Sequence, residues 1–440
     1  MEDTYGIVVR AAPGETNRVS VEEVPRGILV RDAGAPIVGR ACRRLSDAAR
    51  FCRGEFEDGV EVSLGDGDDT ALLVNLAGFV DGGAGADRLE AGPGASLAVW
   101  YRLRTEGVTV RLNDLPDDGA AGEHDDIRGT VGSIDGGSGD DVLEDGPGGV
   151  YINGHGGNDA IRGGAGSDRI SGGEGEDSID AGAGDDELDG GPGADILGGG
   201  GGRDRVSYGG QGLDPLRVSI GDGPGDGAAG EGDDVLGDVE DLSGGEGDDV
   251  LVGSDGPNRM DGRSGADTLL GLAGDDTLSN GATGDLFDPG PGRDRVSAFA
   301  QARVLLADGE ADRLRCAKTA PDIEADSVDT LTRCAPAAYF ASARGPDRSG
   351  RMRIVLECET PSAVPCSGRL QVRRNGRTAS RLVGFGPIEP GRKAAVRVRV
   401  RGGALRPGDC LGLLTVTARP DFASVTRILE RNHVCRGGGS

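Results

Sequence analysis

The sequence is poor in aromatic residues, in histidine and in long apolar runs. Phe, Trp and Tyr make up 3% of its 440 residues, so an ordinary globular core is not expected. No apolar run reaches the length of about 18 residues that a membrane-spanning helix needs. The three histidines, His124, His155 and His433, cannot form an H-E-x-x-H zinc site. Neither a G-x-S-x-G nor a G-x-x-x-x-G-K-S/T motif occurs, so the sequence favours a protein that is not an enzyme.

Glycine and acidic residues, by contrast, are abundant. Glycine accounts for 83 residues, and the net charge is −28. The charge is uneven, since residues 340–440 contain 19 Lys and Arg against 7 Asp and Glu, whereas the chain before them is strongly acidic. This composition predicts a narrow, aliphatic core of the kind found in a solenoid.

A nine-residue pattern, G-G-x-G-x-D-x-U-x with U aliphatic, occurs six times without interruption over residues 154–207. Its sixth positions are Asp159, Asp168, Asp177, Asp186, Asp195 and Asp204, and its eighth positions are Ile161, Ile170, Ile179, Leu188, Leu197 and Val206. The glycines allow tight turns with positive φ, and the last three residues form a short strand that points one side chain inward. Two consecutive repeats are therefore predicted to form one coil, with strands of successive coils about 4.8 Å apart.

Carboxylates one coil apart should then lie one above the other. Two ionised carboxylates at this spacing repel by about 3 to 4 kcal/mol at an effective dielectric near 20. A hard cation that takes about six or more oxygen ligands converts this repulsion into coordination, and calcium accepts a cage of protein oxygens more readily than magnesium does. Low aromatic content with a high net charge is also typical of disorder, which stays an alternative for the calcium-free protein.

The repeat resembles the RTX (hemolysin-type) calcium-binding nonapeptide family over roughly residues 60–300. This resemblance implies calcium binding. Secreted and surface proteins of actinobacteria carry similar repeat arrays. RTX toxins, proteases and lipases add a catalytic domain to such arrays, and no motif of one is found here. The expected fold is all-β, with a right-handed parallel β-roll or β-solenoid.

Stepping by nine from the six-copy run gives further candidate calcium ligands in the same register. They are Asp69, Asp87 and Asp141 upstream and Asp249, Asp267, Asp276, Asp285 and Asp294 downstream. The favoured pairs are Asp159/Asp177, Asp177/Asp195, Asp168/Asp186, Asp186/Asp204, Asp267/Asp285 and Asp276/Asp294, and the weaker pairs are Asp141/Asp159, Asp249/Asp267 and Asp69/Asp87. Two copies are degenerate, because Val150 replaces the aspartate in residues 145–153 and Asn258 replaces it in residues 253–261. His155 replaces a second-position glycine and is interpreted as a tolerated surface variant.

A second, longer period of twelve repeats relates residues 82–143 to residues 190–251 and indicates an internal duplication without gaps. Each half contains a 36-residue segment, 100–135 or 208–243, and the two segments are expected to keep the register as two wider coils. Their acidic loops are either solvated or further calcium sites, and the sequence leaves both interpretations open. The loop residues are Asp118, Glu123, Asp125 and Asp126 in the first segment and Asp226, Glu231, Asp233 and Asp234 in the second.

The eight cysteines contain no C-x-x-C pair, so disulfides in an oxidising compartment are expected rather than zinc. Cys316 and Cys334 are two repeats apart, which predicts a bond between adjacent coils. Proximity predicts the other bonds, Cys42/Cys52, Cys358/Cys366 and Cys410/Cys435. The acidic start of the sequence has no apolar signal segment, so we expect it to be a mature or trimmed N-terminus of a secreted or surface protein.

The predicted domains are an N-terminal β cap (1–63), the β-roll (64–335), a linker (336–350) and a β-sandwich (351–436). In the cap, residues 5–10, 19–21, 28–31 and 60–64 are expected strands. Alternating patterns predict strands at 351–359, 368–374, 394–401, 410–418 and 425–430, and two disulfides among them suggest an immunoglobulin-like sandwich.

The favoured function is that of an extracellular, monomeric calcium-ion-binding protein whose β-roll folds on calcium and which has a structural or surface-display role. The alternative is a module that binds an anionic cell-surface polymer, and a purely structural spacer is a third interpretation. The polymer would contact basic residues of the C-terminal domain, namely Arg373, Arg374, Arg377, Arg397, Arg399 and Arg401. Neither a nucleic-acid partner nor a membrane span is expected.

Overall fold

The computed structural model of the chain is all-β, and no helix occurs among the residues that it describes. It describes side chains in residues 7–10, 16–31, 42–43, 45–46, 49–53, 59–281, 284–299, 302–306 and 310–315. It also describes the backbone of Ile37–Val38, Arg44, Cys316 and the strands after residue 321. The chain divides into two compact units, Met1–Glu246 and Gly247–Ser440.

The strands of each repeat pair in parallel with strands one coil away, as the predicted β-solenoid requires. In the first unit, Ile152 lies opposite Ile170 and Ile170 opposite Leu188, so that paired residues are two repeats apart in the sequence. The eighth-position side chains are at most 2% exposed, so they form the aliphatic interior. The parallel strands of this face are Ile7–Arg10, Val60–Ser63, Ala77–Asp81, Ser96–Trp100, Val131–Asp135, Tyr151–Gly156, Arg169–Glu174, Glu187–Asp189, Arg205–Ser207 and Asp241–Ser243.

Alternate repeats form shorter sheets. One contains Arg18–Val24, Gly27–Arg31, Cys42–Ser46, Ala49–Arg53, Thr70–Val74, Arg88–Ala91 and Asp126–Arg128. The next contains Val108–Arg111, Gly119–Ala120, Val142–Glu144, Ala160–Arg162, Ser178–Asp180, Ile196–Gly198 and Asp234–Val235. The remaining pairs of the unit are Ala183–Gly184 with Gly201–Gly202 and Leu216–Ser219 with Gly227–Ala228.

The N-terminal strands extend the coils and then fold back as antiparallel strands. Ile7–Arg10 pairs in parallel with Val60–Ser63, while Gly27–Arg31 pairs antiparallel with its neighbours, and Ile37–Val38 lies antiparallel at the sheet edge. The predicted Cys42–Cys52 disulfide is present, with its cysteines paired across two antiparallel strands.

Each 36-residue segment forms one wide coil, but the register within it is not uniform. Leu89 lies opposite Ile127, which is a step of 38 residues, whereas Val206 lies opposite Leu242 at a step of 36. The equivalent pair in the second half, Leu197 opposite Val235, has the same step of 38 residues, so the predicted duplication keeps its register on this face. On the other face the two halves differ by one residue, because Val99 lies opposite Ile134 at a step of 35. Tyr208 has the same place in the second segment that Tyr101 has in the first. A shift of exactly twelve repeats from Tyr101 would instead reach Gly209.

The second unit begins with the same two-sided pattern. Its parallel strands are Arg259–Asp261, Thr277–Ser279, Arg295–Ala298, Arg313–Cys316 and Thr330–Thr332 on one side and Val250–Val252, Thr268–Leu270, Leu286–Asp288, Arg303–Leu306 and Asp322–Ala325 on the other. Its last described coil is shorter, because Arg313 lies opposite Thr330 and not opposite Leu331, which two full repeats would reach. The predicted bond between Cys316 and Cys334 stays a prediction, because Cys334 lies outside the described residues.

The C-terminal strands form two antiparallel sheets. One contains Ala338–Ala343, Arg351–Cys358 and Lys393–Arg399, and the other contains Cys366–Arg374, Arg377–Thr378, Val383–Ile388, Cys410–Thr417, Val425–Arg427 and Val434–Cys435. The five predicted strands are present, whereas the first strand falls in the segment expected to be a linker. An immunoglobulin-like topology stays a prediction, as do the bonds Cys358/Cys366 and Cys410/Cys435, whose side chains lie outside the described set.

The arginines of the predicted polymer patch are divided between these sheets. Arg373, Arg374 and Arg377 belong to the second sheet. Arg397 and Arg399 belong to the first, and Arg401 lies outside the described residues. Their grouping into one surface stays a prediction.

Candidate metal centre

Sixth-position aspartates of successive coils stack directly over one another. The Asp159 amide donates to Oδ1 of Asp177 at 2.8 Å, and the Asp177 amide donates to Oδ1 of Asp195 at 2.8 Å. Each of the predicted aspartates is at most 3% exposed. The same bond, with N–O distances from 2.7 to 3.3 Å, joins all nine predicted pairs: Asp69/Asp87, Asp141/Asp159, Asp159/Asp177, Asp168/Asp186, Asp177/Asp195, Asp186/Asp204, Asp249/Asp267, Asp267/Asp285 and Asp276/Asp294.

The second carboxylate oxygen of many of these aspartates is buried without a hydrogen-bond donor. It is so in Asp87, Asp159, Asp168, Asp177, Asp195, Asp204 and Asp276. Leaving a buried polar group without a partner destabilises a fold by about 1 to 3 kcal/mol, and by more when the group is charged. A regular series of such oxygens is therefore the pattern expected of cation ligands rather than of a local defect.

First-position glycines leave space beside each of these oxygens. A methyl group on Gly163 would lie 2.6 Å from Oδ2 of Asp168 and would also overlap the carbonyl oxygen of Ala181 in the next coil. A methyl group on Gly172 would meet Oδ2 of Asp177 and the Gly190 carbonyl oxygen in the same way. The space is therefore bordered by a carboxylate oxygen of one coil and a backbone oxygen of the following coil.

Fifth-position side chains form a second ladder, which the sequence analysis missed. The Asn158 amide donates to Oδ1 of Asp140 at 2.8 Å, and the Arg203 amide donates to Oδ1 of Asp185 at 3.0 Å. These fifth-position oxygens accept from the following coil, whereas the sixth-position Oδ1 atoms accept from the preceding coil. The recurrence of Asp, Asn and Ser at this position was the available signal.

A protein-family model described as RTX calcium-binding nonapeptide repeat (4 copies) matches residues 79–97, 135–170, 171–206 and 243–278. These stretches contain most of the stacked aspartates and the glycine turns between them, but not Asp69, Asp285 or Asp294. The chain carries RTX calcium-binding repeats. Among curated proteins, none matches the chain.

The oxygens of the RTX turns fit calcium. Among the described residues, no group of three or more His, Cys, Asp or Glu side chains could hold a metal by itself. Backbone oxygens must therefore complete any site, and calcium accepts carboxylate and carbonyl oxygens together. Bound calcium would supply positive charge that offsets the stacked carboxylates. The chain would hold it with sixth-position carboxylates such as those of Asp168 and Asp177 and with first-position carbonyls such as those of Ala181 and Gly190.

Burial raises the pKa values of the RTX aspartates. Burial raises the pKa of Asp159 to about 7; the Asp141 amide opposes this shift, and the charges of Asp141 and Asp177 add to it. Burial is also the largest cause for the others, with pKa values raised to about 7 in Asp87, Asp195, Asp267 and Asp276 and to about 6 in Asp168 and Asp204. The folded RTX turns therefore favour protons when no cation is bound.

We expect calcium-free protein to be more stable at pH 5 than at pH 8. Aspartates whose folded pKa lies near 6 to 7 hold protons that the unfolded chain releases near its usual value of about 3.9. The stability that these aspartates contribute is fully present below the pKa of the unfolded chain, and it is lost as the pH rises through their pKa in the folded protein. Circular dichroism in excess chelator measures this as a larger β signal of the repeats at pH 5 than at pH 8, and a smaller signal at pH 5 would contradict it. Protons should also compete with calcium, so the calcium midpoint should rise as pH falls.

The acidic loops of the wide coils are not solvated at their key positions. Asp118, Asp125, Asp226 and Asp233 are all at most 3% exposed. Asp118 accepts from the amides of Arg111 and Ile127, and Asp226 accepts equivalently from those of Ser219 and Val235. The solvated-loop interpretation is therefore wrong for these four residues. Glu123 and Glu231 instead accept from the amides of Ala120 and Ala228 within their loops.

Asp125 and Asp233 continue the aspartate stacks, and a tyrosine hydroxyl donates a hydrogen bond to each of them. The amides of Asp87 and Asp195 donate to their Oδ1 atoms. Their Oδ2 atoms accept from Tyr101 at 2.8 Å and from Tyr208 at 3.0 Å. Stepping by nine leads instead to Glu123 and Glu231, which is why these stack members could not be found from the sequence.

We expect Tyr101→Phe and Tyr208→Phe each to destabilise the calcium-loaded protein by about 1 to 3 kcal/mol, because each leaves a buried carboxylate oxygen without its donor. Tyr151→Phe is the control, since Tyr151 is 39% exposed. Chemical unfolding in saturating calcium measures the differences. Equal stability of all three variants and the wild type would show that the tyrosine hydroxyls do not support these coils.

Other positions in the stacks differ from the regular repeat. Asn258, in the second degenerate repeat, accepts from the Ser254 amide at 2.7 Å and so needs no cation. Further stack members missed by the sequence analysis are Asn17, Glu240 and Asp312. Two nine-residue steps beyond Asp294 would have reached Asp312. His155 is hydrogen-bonded to Asp135 at 3.0 Å, and its interpretation as a tolerated surface variant stays a prediction.

Proposed function

We propose that this chain is an extracellular, non-catalytic protein whose RTX repeats fold when calcium binds, and that its role is structural or one of surface display. The observation that carries the proposal is the series of stacked, buried aspartates whose Oδ2 atoms have no donor. No helix among the described residues has the length and apolarity needed to cross a membrane.

The charge pattern supports a switch set by the calcium concentration. Without calcium, each RTX stack places carboxylates one coil apart in a buried setting, so folding must either protonate them or bear their repulsion. Extracellular calcium modules typically bind at about 10⁻⁴ to 10⁻³ M. In a chain with this affinity, the repeats stay unfolded at cytosolic calcium levels and fold outside the cell. Its cysteines fit the same oxidising setting, and the Cys42–Cys52 bond is an example.

Calcium titration of the calcium-free protein tests the proposal. We expect a cooperative gain of β signal in circular dichroism with a midpoint in the range of about 10⁻⁴ to 10⁻³ M, and calorimetry should detect several ions per chain. Magnesium at the same concentration is the control and should give little gain. A chain that binds no calcium, or that folds equally in its absence, would contradict the proposal.

A further inference from the structure

The degenerate repeat at residues 145–153 carries a carboxylate at an unusual place. Its sixth position is Val150, so the carboxylate of the regular repeat is missing. Its first position, which is glycine in most copies, is Asp145. The Val150 amide still donates to Oδ1 of Asp168 at 2.8 Å, so the backbone of this repeat stacks on the next coil in the usual way.

First-position side chains enter the space that sixth-position carboxylates border. In the regular repeats, a methyl group on Gly154, Gly163 or Gly172 would meet Oδ2 of the aspartate five residues later. The polar first-position side chain of Asn280 hydrogen-bonds Asp285, five residues later, and its Nδ2 also donates to Oδ2 of Asp267 in the preceding coil at 2.6 Å. A carboxylate at position 145 can therefore reach the space where the sixth-position carboxylate of a regular repeat would lie, and where Val150 has no oxygen.

The two carboxylates next to this space both have an oxygen without a donor. Oδ2 of Asp145 and Oδ2 of Asp168 are buried and accept no hydrogen bond, and Asp168 is 3% exposed. Burial raises the pKa of Asp168 to about 6, and the charge of Asp145 raises it further, as expected of neighbouring carboxylates. Burial also raises the pKa of Asp145.

We propose that Asp145 replaces the missing sixth-position carboxylate and that Asp145 and Asp168 form an additional calcium site between residues 145–153 and 163–171. This inference rests on the proposed calcium-binding function. It assigns a ligand at a position that has no carboxylate in the RTX repeat pattern. A cation would then also bind next to Asp168, at the end of the stack Asp168, Asp186 and Asp204, where the sixth-position aspartate is absent. The other degenerate repeat differs, because Gly253 and the neutral Asn258 provide no carboxylate.

The number of calcium ions bound per chain tests this site. Asp145→Gly should bind one ion fewer than the wild type in equilibrium dialysis with metal analysis, and its calcium midpoint for folding should rise. The double variant Asp145→Gly with Val150→Asp restores the regular repeat, so it should regain the lost ion. Asp180→Asn removes one carboxylate from an exposed strand position nearby and should leave the number unchanged.

The outcomes separate this inference from the proposed function. Wild-type protein that binds no calcium contradicts the function itself. Wild-type protein that binds calcium, with the same number of ions in Asp145→Gly, overturns only the Asp145 site. If Asp145→Gly fails to fold, the double variant decides: the wild-type number of ions in a folded double variant supports the exchange of ligands, and a double variant with one ion fewer, or one that also fails to fold, overturns it.

Discussion

Removing calcium from the purified protein should abolish most of the β signal of the repeats. Seven of the stacked aspartates have a buried Oδ2 without a donor. At about 1 to 3 kcal/mol for each such group, their sum reaches or exceeds the net stability of about 5 to 15 kcal/mol that folded domains have. The glycine-rich turns add a large loss of backbone entropy on folding. The aliphatic interior, with one eighth-position side chain per repeat, is too narrow to offset both terms.

Circular dichroism and limited proteolysis in excess chelator measure this loss. Cleavage should spread through the repeats, while the C-terminal antiparallel sheets, which contain none of the stacked aspartates, should stay protected. Readdition of calcium should restore both signals. A chelated sample that kept its full β spectrum and thermal stability would show that calcium does not organise the fold, and a structural spacer would then be the better description.

A matched pair of double variants assigns the effect to the stacks. Asp177→Asn with Asp186→Asn keeps the Oδ1 atoms that accept from the amides of Asp159 and Asp168 but removes two buried charges, so the calcium midpoint should rise severalfold. Glu174→Gln with Asp180→Asn removes two exposed charges from the same coils. This control should leave the midpoint unchanged, and an equal shift in both variants would assign the effect to net charge alone.

The sequence predicted the stacks because a fixed period converts directly into spatial register. Asp159 and Asp177 are two repeats apart, and strands that pair at the same step leave no freedom in where they lie. The same reasoning located the eighth-position core. It failed where a loop changes the chain length between paired strands, as between Asp87 and Asp125.

Contacts that depend on three-dimensional packing could not be predicted in the same way. The bonds from Tyr101 to Asp125 and from Tyr208 to Asp233 span 24 and 25 residues, which is no multiple of the repeat. The Asp145 carboxylate was overlooked for a related reason. Its repeat was classified by the residue at the sixth position, but a side chain at the first position can enter the same space.

Replacing a fourth-position glycine should destabilise the coils strongly even when calcium is saturating. Gly193 has a φ of 150°, and a methyl group there would overlap the carbonyl oxygen of Gly175 in the preceding coil. An unfavourable φ alone amounts to about 1 to 3 kcal/mol, and the overlap forces neighbouring coils apart. Because the displaced backbone also carries Asp195, whose Oδ1 accepts from the Asp177 amide, the aspartate stack should be distorted too.

Gly148→Ala provides the control at the same position of another repeat. No atom lies within 4 Å of a methyl group at Gly148, and its φ is not in the left-handed region. We therefore expect Gly193→Ala to lower the urea midpoint in saturating calcium and to raise the calcium midpoint for folding, while Gly148→Ala changes both only slightly. If the two variants were equally stable, close approach of the turns could not be what requires glycine at the fourth position. Both substitutions reduce the conformational entropy of the unfolded chain alike, so this effect cancels when the two variants are compared.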